Sequence, residues 1–180
     1  ALDLVSNKRT IGQLHEALGL CYFEHALQAV ISETFSEYIQ KAIKACETAS
    51  ETFASLNSPL DKASSIRCNA LAVYYAQHLP QEPQKIKQSL HTVVKLQQNA
   101  LNLYKNCGDA SGKRVLYSEI LRTINDLLEY EETRNQRIEL VELGLAYSEE
   151  AIQTCLNLKD EQGSAGIYLE ASLLCGAGSG

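Results

Sequence analysis

The sequence predicts an all-α protein, built as an α-solenoid of about three and a half antiparallel helical hairpins. Three observations predict this fold class: a composition rich in helix-forming residues, apolar residues at helical spacing, and an internal repeat. Pro occurs three times and Gly ten times in 180 residues, so few positions interrupt a helix. We expect about three quarters of the residues to be helical.

The internal repeat has a period of 51 residues. It is clearest between residues 98–124 and residues 149–175, which align without a gap. The matched pairs are Ala100/Ala151, Asn106/Asn157, Asp109/Asp160, Gly112/Gly163, Tyr117/Tyr168 and Glu119/Glu170. Weaker matches extend the period back to Leu18. A repeated pair of helices can bury its apolar faces only against its neighbours, which predicts a solenoid.

Turn-forming residues divide each period into two helices. Gly108 suits the left-handed position after a helix, and Ser58, Asp109 and Asp160 are expected to cap the helices that follow. The predicted helices are residues 10–29, 32–56, 60–79, 83–107, 110–130, 134–158 and 161–175. Short connections make consecutive helices antiparallel. We therefore predict a single repeat domain over residues 1–175 and a flexible Gly/Ser tail over residues 176–180.

Apolar side chains recur at helical spacing inside these segments and indicate the buried faces. The second helix carries Ile39, Ile43, Cys46, Ala49, Phe53 and Leu56, and the fourth carries Leu90, Val93, Val94, Leu96, Ala100 and Leu103. The last helix has more apolar residues than the preceding hairpin could cover, namely Ile167, Leu169, Leu173 and Leu174. We expect an exposed apolar patch there, filled by further repeats or by self-association.

Two segments resemble the signatures of tetratricopeptide-repeat proteins: Leu18-Gly-x-x-Tyr22 in a first helix, and Ala100-Leu-x-Leu-Tyr104-x-x-x-Gly108-Asp-x-x-Gly112. The period of 51 residues exceeds the roughly 34 residues usual in that family, which indicates a long-helix variant. The resemblance implies that the first helix of each hairpin lines a concave surface. Carried over by position, it gives four candidate partner-binding residues: Arg67, Tyr74, Arg122 and Asn125. Arg and Tyr commonly carry binding energy at such places.

No residue pattern indicates a catalytic, metal or cofactor site. The segment from Gly108 to Lys113 has three residues between its glycines, whereas a phosphate-binding loop has four. His15-Glu16 lacks the second His of the helical zinc motif. The acidic residues Asp126, Glu129, Glu131 and Glu132 are expected to form a solvated connector. We therefore predict no catalytic residue, no metal and no cofactor.

Charge and cysteine usage point to a soluble protein of the cytoplasm, or alternatively the nucleus. A net charge of −6 offers no attraction to nucleic acid or to anionic membranes. No apolar stretch approaches the roughly 20 residues that a membrane helix needs. Six cysteines without Cys-x-x-Cys spacing are expected to be buried thiols in a reducing compartment. The absence of Met, even at residue 1, predicts a segment of a longer protein.

The predicted function is a protein-interaction scaffold that binds a partner peptide or helix on its concave face and is not an enzyme. Two alternatives remain open. The chain could be a regulatory or substrate-positioning helical domain of a larger enzyme, or a small-molecule sensor with a pocket between hairpins.

Overall fold

Seven α-helices make the computed structural model 86% helical, and it describes the backbone of residues 2–177 and the side chains of residues 7–176. The helices are α1 (Leu2–Leu27), α2 (Ser32–Ala54), α3 (Pro59–Ala76), α4 (Pro83–Cys107), α5 (Ala110–Leu128), α6 (Arg134–Leu158) and α7 (Glu161–Ala177). The predicted all-α fold is confirmed. The start of α1 was predicted at residue 10, but no Gly or Pro precedes Gly12, so the helix begins at Leu2.

The helix boundaries follow the sequence repeat. Ser32, Pro83 and Arg134 begin α2, α4 and α6, at intervals of 51 residues. Pro59, Ala110 and Glu161 begin α3, α5 and α7 at the same interval of 51 residues. The repeat detected in the sequence is therefore a repeat of helical pairs.

The helices group into two units that divide between Glu82 and Pro83. In the first unit α2 packs on α1 and α3, and α1 touches α3. In the second unit α4, α5, α6 and α7 pack in sequence, and α5 also packs on α7. The single domain over residues 1–175 stays a prediction. The tail predicted at residues 176–180 begins inside α7, and residues 178–180 lie outside the described residues.

A close approach between α1 and α2 forms the core of the first unit. The α2 residues Ile39, Cys46 and Phe53 are buried. A Cβ added at Gly19 would lie 2.5 Å from the Sγ of Cys46. Gly19 is therefore the residue of the Leu-Gly signature that lets the two helices pack closely.

The centre of the second unit is α5. Its apolar side chains are fully or almost fully buried along the whole helix: Leu116, Ile120, Leu121, Ile124, Leu127 and Leu128. This burial is consistent with α5 packing against three other helices of the unit. A helix apolar on several sides is stable only when it is enclosed in this way.

Side-chain caps begin α3, α5 and α7, as predicted. The hydroxyl of Ser58 accepts from the backbone N–H of Asp61 at 3.1 Å. The carboxylate of Asp109 accepts from Gly112 at 3.0 Å, and that of Asp160 accepts from Gly163 at 2.8 Å. Each cap satisfies an N–H group that has no partner inside the helix.

The residue before each capping Asp has a left-handed backbone. Gly108 has φ of +70°, as predicted, and Lys159, one period later, has φ of +57°. A left-handed residue reverses the chain after a helix, so that the next helix starts at once. Gly adopts this conformation without cost, whereas a side chain is strained there.

Exchanging the residue type at these two positions should change the stability in opposite directions. We expect Gly108→Ala to lower the free energy of unfolding by about 1 kcal/mol, because a Cβ disfavours positive φ. We expect Lys159→Gly to raise it by about 0.5 kcal/mol for the same reason, less the backbone entropy that Gly loses on folding. Urea unfolding measures both. Equal effects of the two variants would contradict the explanation.

A bidentate ion pair joins α1 to the start of α3. The guanidinium of Arg9 donates to both carboxylate oxygens of Asp61, at 2.8 and 2.7 Å. The side chain of Asp61 is 3% exposed and that of Arg9 is 40% exposed. The hydrogen bond from Arg9 lowers the pKa of Asp61, and the hydroxyl of Ser58 donates to the same carboxylate. The cap of α3 is thus also its link to α1.

This pair gives the first unit a stability that depends on pH. Asp61→Asn should lower the free energy of unfolding at neutral pH by about 1–2 kcal/mol, because a half-exposed arginine loses its partner. Since the pKa of Asp61 is lower in the folded state than its unfolded value of about 3.9, its stabilisation is present above that pH and lost as the pH falls through the folded pKa. Urea unfolding at several pH values should therefore show the wild type and the variant converging in acid. A constant difference would contradict this assignment.

Candidate functional site

The four predicted partner-binding residues lie in two different units. Arg67 and Tyr74 belong to α3 in the first unit, and Arg122 and Asn125 belong to α5 in the second. The two residues of each pair therefore share one helix, and the surroundings of the two pairs differ.

Arg67 is part of a buried ion pair between α1 and α3. It is 7% exposed, and its Nη1 lies 2.6 Å from the Oε1 of Glu16. The two residues are 51 positions apart, so they occupy equivalent positions of consecutive first helices. Because nearly all of the guanidinium surface faces other protein groups, Arg67 stabilises the contact between these helices.

Tyr74 lies in an aromatic cluster of the first unit. It is 6% exposed, and its ring makes edge contacts with Phe23 at 6.3 Å and with His78 at 5.5 Å between centroids. Phe23 also stacks on Tyr75 at 4.3 Å. The adjacent rings Tyr74 and Tyr75 are both buried, because Phe23 of α1 packs against both. A partner-binding role for Arg67 and Tyr74 stays a prediction.

Arg122 and Asn125 line a groove of about 440 Å³ in the second unit. The groove lies where the end of α5, the start of α6 and the second half of α7 meet. Its lining residues are Arg122, Asn125, Asp126, Leu128, Glu129, Arg137, Glu170 and Leu173. We call it the Arg122 groove. Its volume is within the range of about 300–1,000 Å³ usual for ligand sites.

Two hydrogen-bonded contacts hold the walls of the Arg122 groove together. The side-chain amide of Asn125 donates to the Oε2 of Glu170 at 2.9 Å, which ties α5 to α7. The Nη1 of Arg137 donates to the backbone oxygen of Leu128 at 2.7 Å, which ties α6 to the end of α5. Asn125 therefore positions a wall of the groove.

Arg122 is the cation of this groove that no partner engages. Its side chain is exposed, and among the residues that the structure describes it makes no hydrogen bond and no ion pair. Leu173, which lies 51 positions later in the sequence, is 54% exposed in the same groove. A free guanidinium beside an accessible leucine can take a carboxylate and an aliphatic group at the same time.

Three groove residues were not predicted as members of a site: Glu170, Leu173 and Arg137. Glu170 was only a matched position of the repeat, and Leu173 only an apolar residue of the last helix. They come together because α7 packs on α5 and because α6 starts beside the end of α5. No local spacing encodes such a contact.

The acidic connector differs from the prediction at one residue. Glu129 and Glu132 are exposed as expected, but Glu131 is buried. Its carboxylate lies 2.8 Å from the Nζ of Lys87 and 2.9 Å from the Nε2 of His91. These two cationic or polar groups of α4 cover Glu131, so this part of the connector is an anchored contact and not a solvated face.

The cysteines also differ from the prediction. Cys46, Cys68 and Cys155 are buried thiols, whereas Cys21, Cys107 and Cys175 are exposed, and none of the six forms a disulfide. Burial raises the pKa of the Cys155 thiol. Within the described residues, no group of three His, Cys, Asp or Glu side chains is placed to hold a metal ion. In the same part of the chain, no helix is both long and apolar enough to cross a membrane.

No protein-family model matches the sequence, and no curated protein matches it.

Two of the candidate arginines should respond differently to truncation. We expect Arg67→Ala to lower the free energy of unfolding by about 2 kcal/mol, because the carboxylate of Glu16, whose side chain is 18% exposed, loses its arginine partner. Arg122→Ala should change it by less than about 0.5 kcal/mol, because an exposed side chain without contacts is removed. Thermal or urea unfolding compares the two variants. Similar losses would contradict the different roles assigned here.

Proposed function

We propose that this chain is a protein-interaction module of the tetratricopeptide-like, long-helix kind, and that it binds a segment of a partner protein in the Arg122 groove. The observation that carries the proposal is the exposed guanidinium of Arg122, which has no partner among the described residues and lies beside the exposed side chain of Leu173. Arginine at the centre of an interface often contributes a large part of the binding energy.

The chemistry of the groove defines the partner. Arg122 would receive a carboxylate, which a guanidinium binds through two parallel hydrogen bonds. Leu128 and Leu173 would contact an aliphatic side chain of the same segment. The groove also contains the carboxylates of Asp126 and Glu129, and the whole chain carries a net charge of −6. A segment with a single acidic residue in a neutral or basic context therefore fits better than an acidic segment.

The composition of the groove favours binding over chemistry. Its lining residues include no Cys, His, Ser or Thr, which are common nucleophiles and proton-transfer groups. Asn125 and Arg137 are already engaged in holding the walls. A preformed groove that presents the free guanidinium of Arg122 is suited to selecting a peptide by its sequence.

Two contacts support stacking of the repeats in register. Glu16 contacts Arg67, and Arg122 lines the same groove as Leu173; each pair is one period of 51 residues apart. In a helical-repeat protein equivalent positions of neighbouring first helices lie side by side and form a continuous binding surface. Cysteines that form no disulfide, on the surface and in the core, are compatible with a reducing compartment, the cytoplasm or the nucleus.

A phage-displayed library of random peptides, selected on the immobilised chain, tests the proposal. We expect the selected peptides to share one Asp or Glu near an aliphatic residue. Their affinity, measured by isothermal titration calorimetry, should fall at least about ten-fold for Arg122→Ala. The affinity should decrease at high salt, since the contact is ionic.

Arg134→Ala is the matched control for this experiment. Arg134 is an exposed arginine at the start of α6 and does not line the groove. The control should leave the affinity unchanged. Peptides that lack an acidic residue, or an equal loss of affinity in the two variants, would contradict binding at Arg122.

A further inference from the structure

The exposed residues of α7 carry no charge over three turns, since Glu170, the charged residue of this stretch, is half-buried at the Arg122 groove. Every exposed residue between Ala165 and Gly176 is uncharged. These exposed residues are Ala165, Gly166, Tyr168, Leu169, Ser172, Leu173, Cys175 and Gly176. We call this surface the α7 face. For a chain with 38 charged residues, Lys and Arg 16 and Asp and Glu 22, an exposed helix face without charge indicates a contact surface.

The preceding repeat shows that the equivalent face is built to be covered. Tyr117 of α5 is the equivalent of Tyr168, but it is 1% exposed whereas Tyr168 is 60% exposed. The ring of Tyr117 lies 6.2 Å from that of Tyr147 in α6, and its hydroxyl donates to the Oε2 of Glu150 at 2.6 Å. Helix α6 therefore covers Tyr117 on α5, whereas the equivalent Tyr168 on α7 is exposed.

Ion pairs hold helix α6 in its position over α5. Lys105 forms an ion pair with Glu150. Its hydrogen bond is the main reason why the pKa of the Glu150 carboxylate is lowered. Arg114 lies 3.2 Å from the carboxylate of Asp160. Both acidic partners belong to the next helical pair. The interior contact between repeats therefore joins cations of one pair to acids of the next.

The corresponding positions beside the α7 face carry no cations. One period of 51 residues later, Lys105 is replaced by Leu156 and Arg114 by Ala165, and both are exposed. An acidic helix like α6 would find neither of the two cations there. The element that covers the α7 face must itself be uncharged and apolar, because a buried carboxylate without a partner is costly.

We propose that the α7 face binds the α7 face of a second copy of this chain, around a two-fold axis. An uncharged surface is complementary to itself, so a symmetric contact brings no like charges together, although each copy carries a net charge of −6. Leu169 and Tyr168 supply the apolar area, and the small residues Ala165 and Ser172 allow two helices to approach closely. The contact uses Tyr168 and Leu169, which do not line the Arg122 groove, and it shares Leu173 with that groove.

Sedimentation velocity from micromolar to millimolar concentration tests the proposal on the whole chain. We expect the wild type to convert from monomer to dimer and to go no further, since a two-fold contact closes. Leu169→Glu should raise the dissociation constant at least about ten-fold, because it places two like charges at the centre of the contact. Ser172→Lys is a second variant with the same expected effect.

Leu14→Glu is the matched control. Leu14 is 59% exposed on α1, compared with 64% for Leu169 on α7, and this substitution should leave the dimer intact. Circular dichroism should show the same helix content for all variants. A wild type that stays monomeric throughout, or assembly that grows beyond a dimer and is weakened equally by Leu14→Glu, would overturn the proposal. Dimerisation of Arg122→Ala at wild-type strength would separate this contact from the groove.

Discussion

The turn between consecutive helical pairs is the constraint on which the rest of the second unit depends. A left-handed residue ends α4 at Gly108, and Lys159 does the same for α6. An aspartate follows each and caps the next helix. Because helix start and helix end are set by the same few residues, α5 and α7 begin one period apart. Equivalent side chains such as Arg122 and Leu173 then reach the same groove.

Several ionic contacts in this protein join helices that belong to different repeats. Arg9 and Arg67 of the first unit reach Asp61 and Glu16 across α1 and α3. In the second unit Lys105 reaches Glu150. Such pairs add little stability when they are exposed, but they select one register between helices, because a buried carboxylate moved by one turn would lose its partner. Arg122 makes no ion pair among the described residues, and its position in a groove makes it a candidate for recognition.

The Arg122 groove and the α7 face meet at Leu173, which lines the first and belongs to the second. They offer different chemistry: the groove presents a free guanidinium and several carboxylates, whereas the face presents no charge. A charged site selects a partner by electrostatic complementarity, and a neutral site binds through buried apolar area. Helix α7 can therefore take part in both contacts, because the two surfaces select partners of different chemistry.

The sequence by itself determined the helices, their period and their caps. These features depend on residues a few positions apart: Ser58 and Asp109 reach an N–H three residues later, and Gly108 acts on its own backbone. The candidate site was only partly predictable. Arg122 and Asn125 line a groove, but the accessibility of Arg67 and Tyr74 could not be read from the helix pattern.

Only the tertiary structure decided which polar and aromatic side chains are covered. Arg67 is buried because Glu16, which lies 51 residues earlier, faces it. Glu131 is buried because His91 reaches it from a position 40 residues away. Tyr117 and Tyr168 match in the repeat, yet α6 covers one of them and leaves the other open. Local sequence encodes where a helix begins and ends, whereas exposure depends on what a distant helix places opposite each residue.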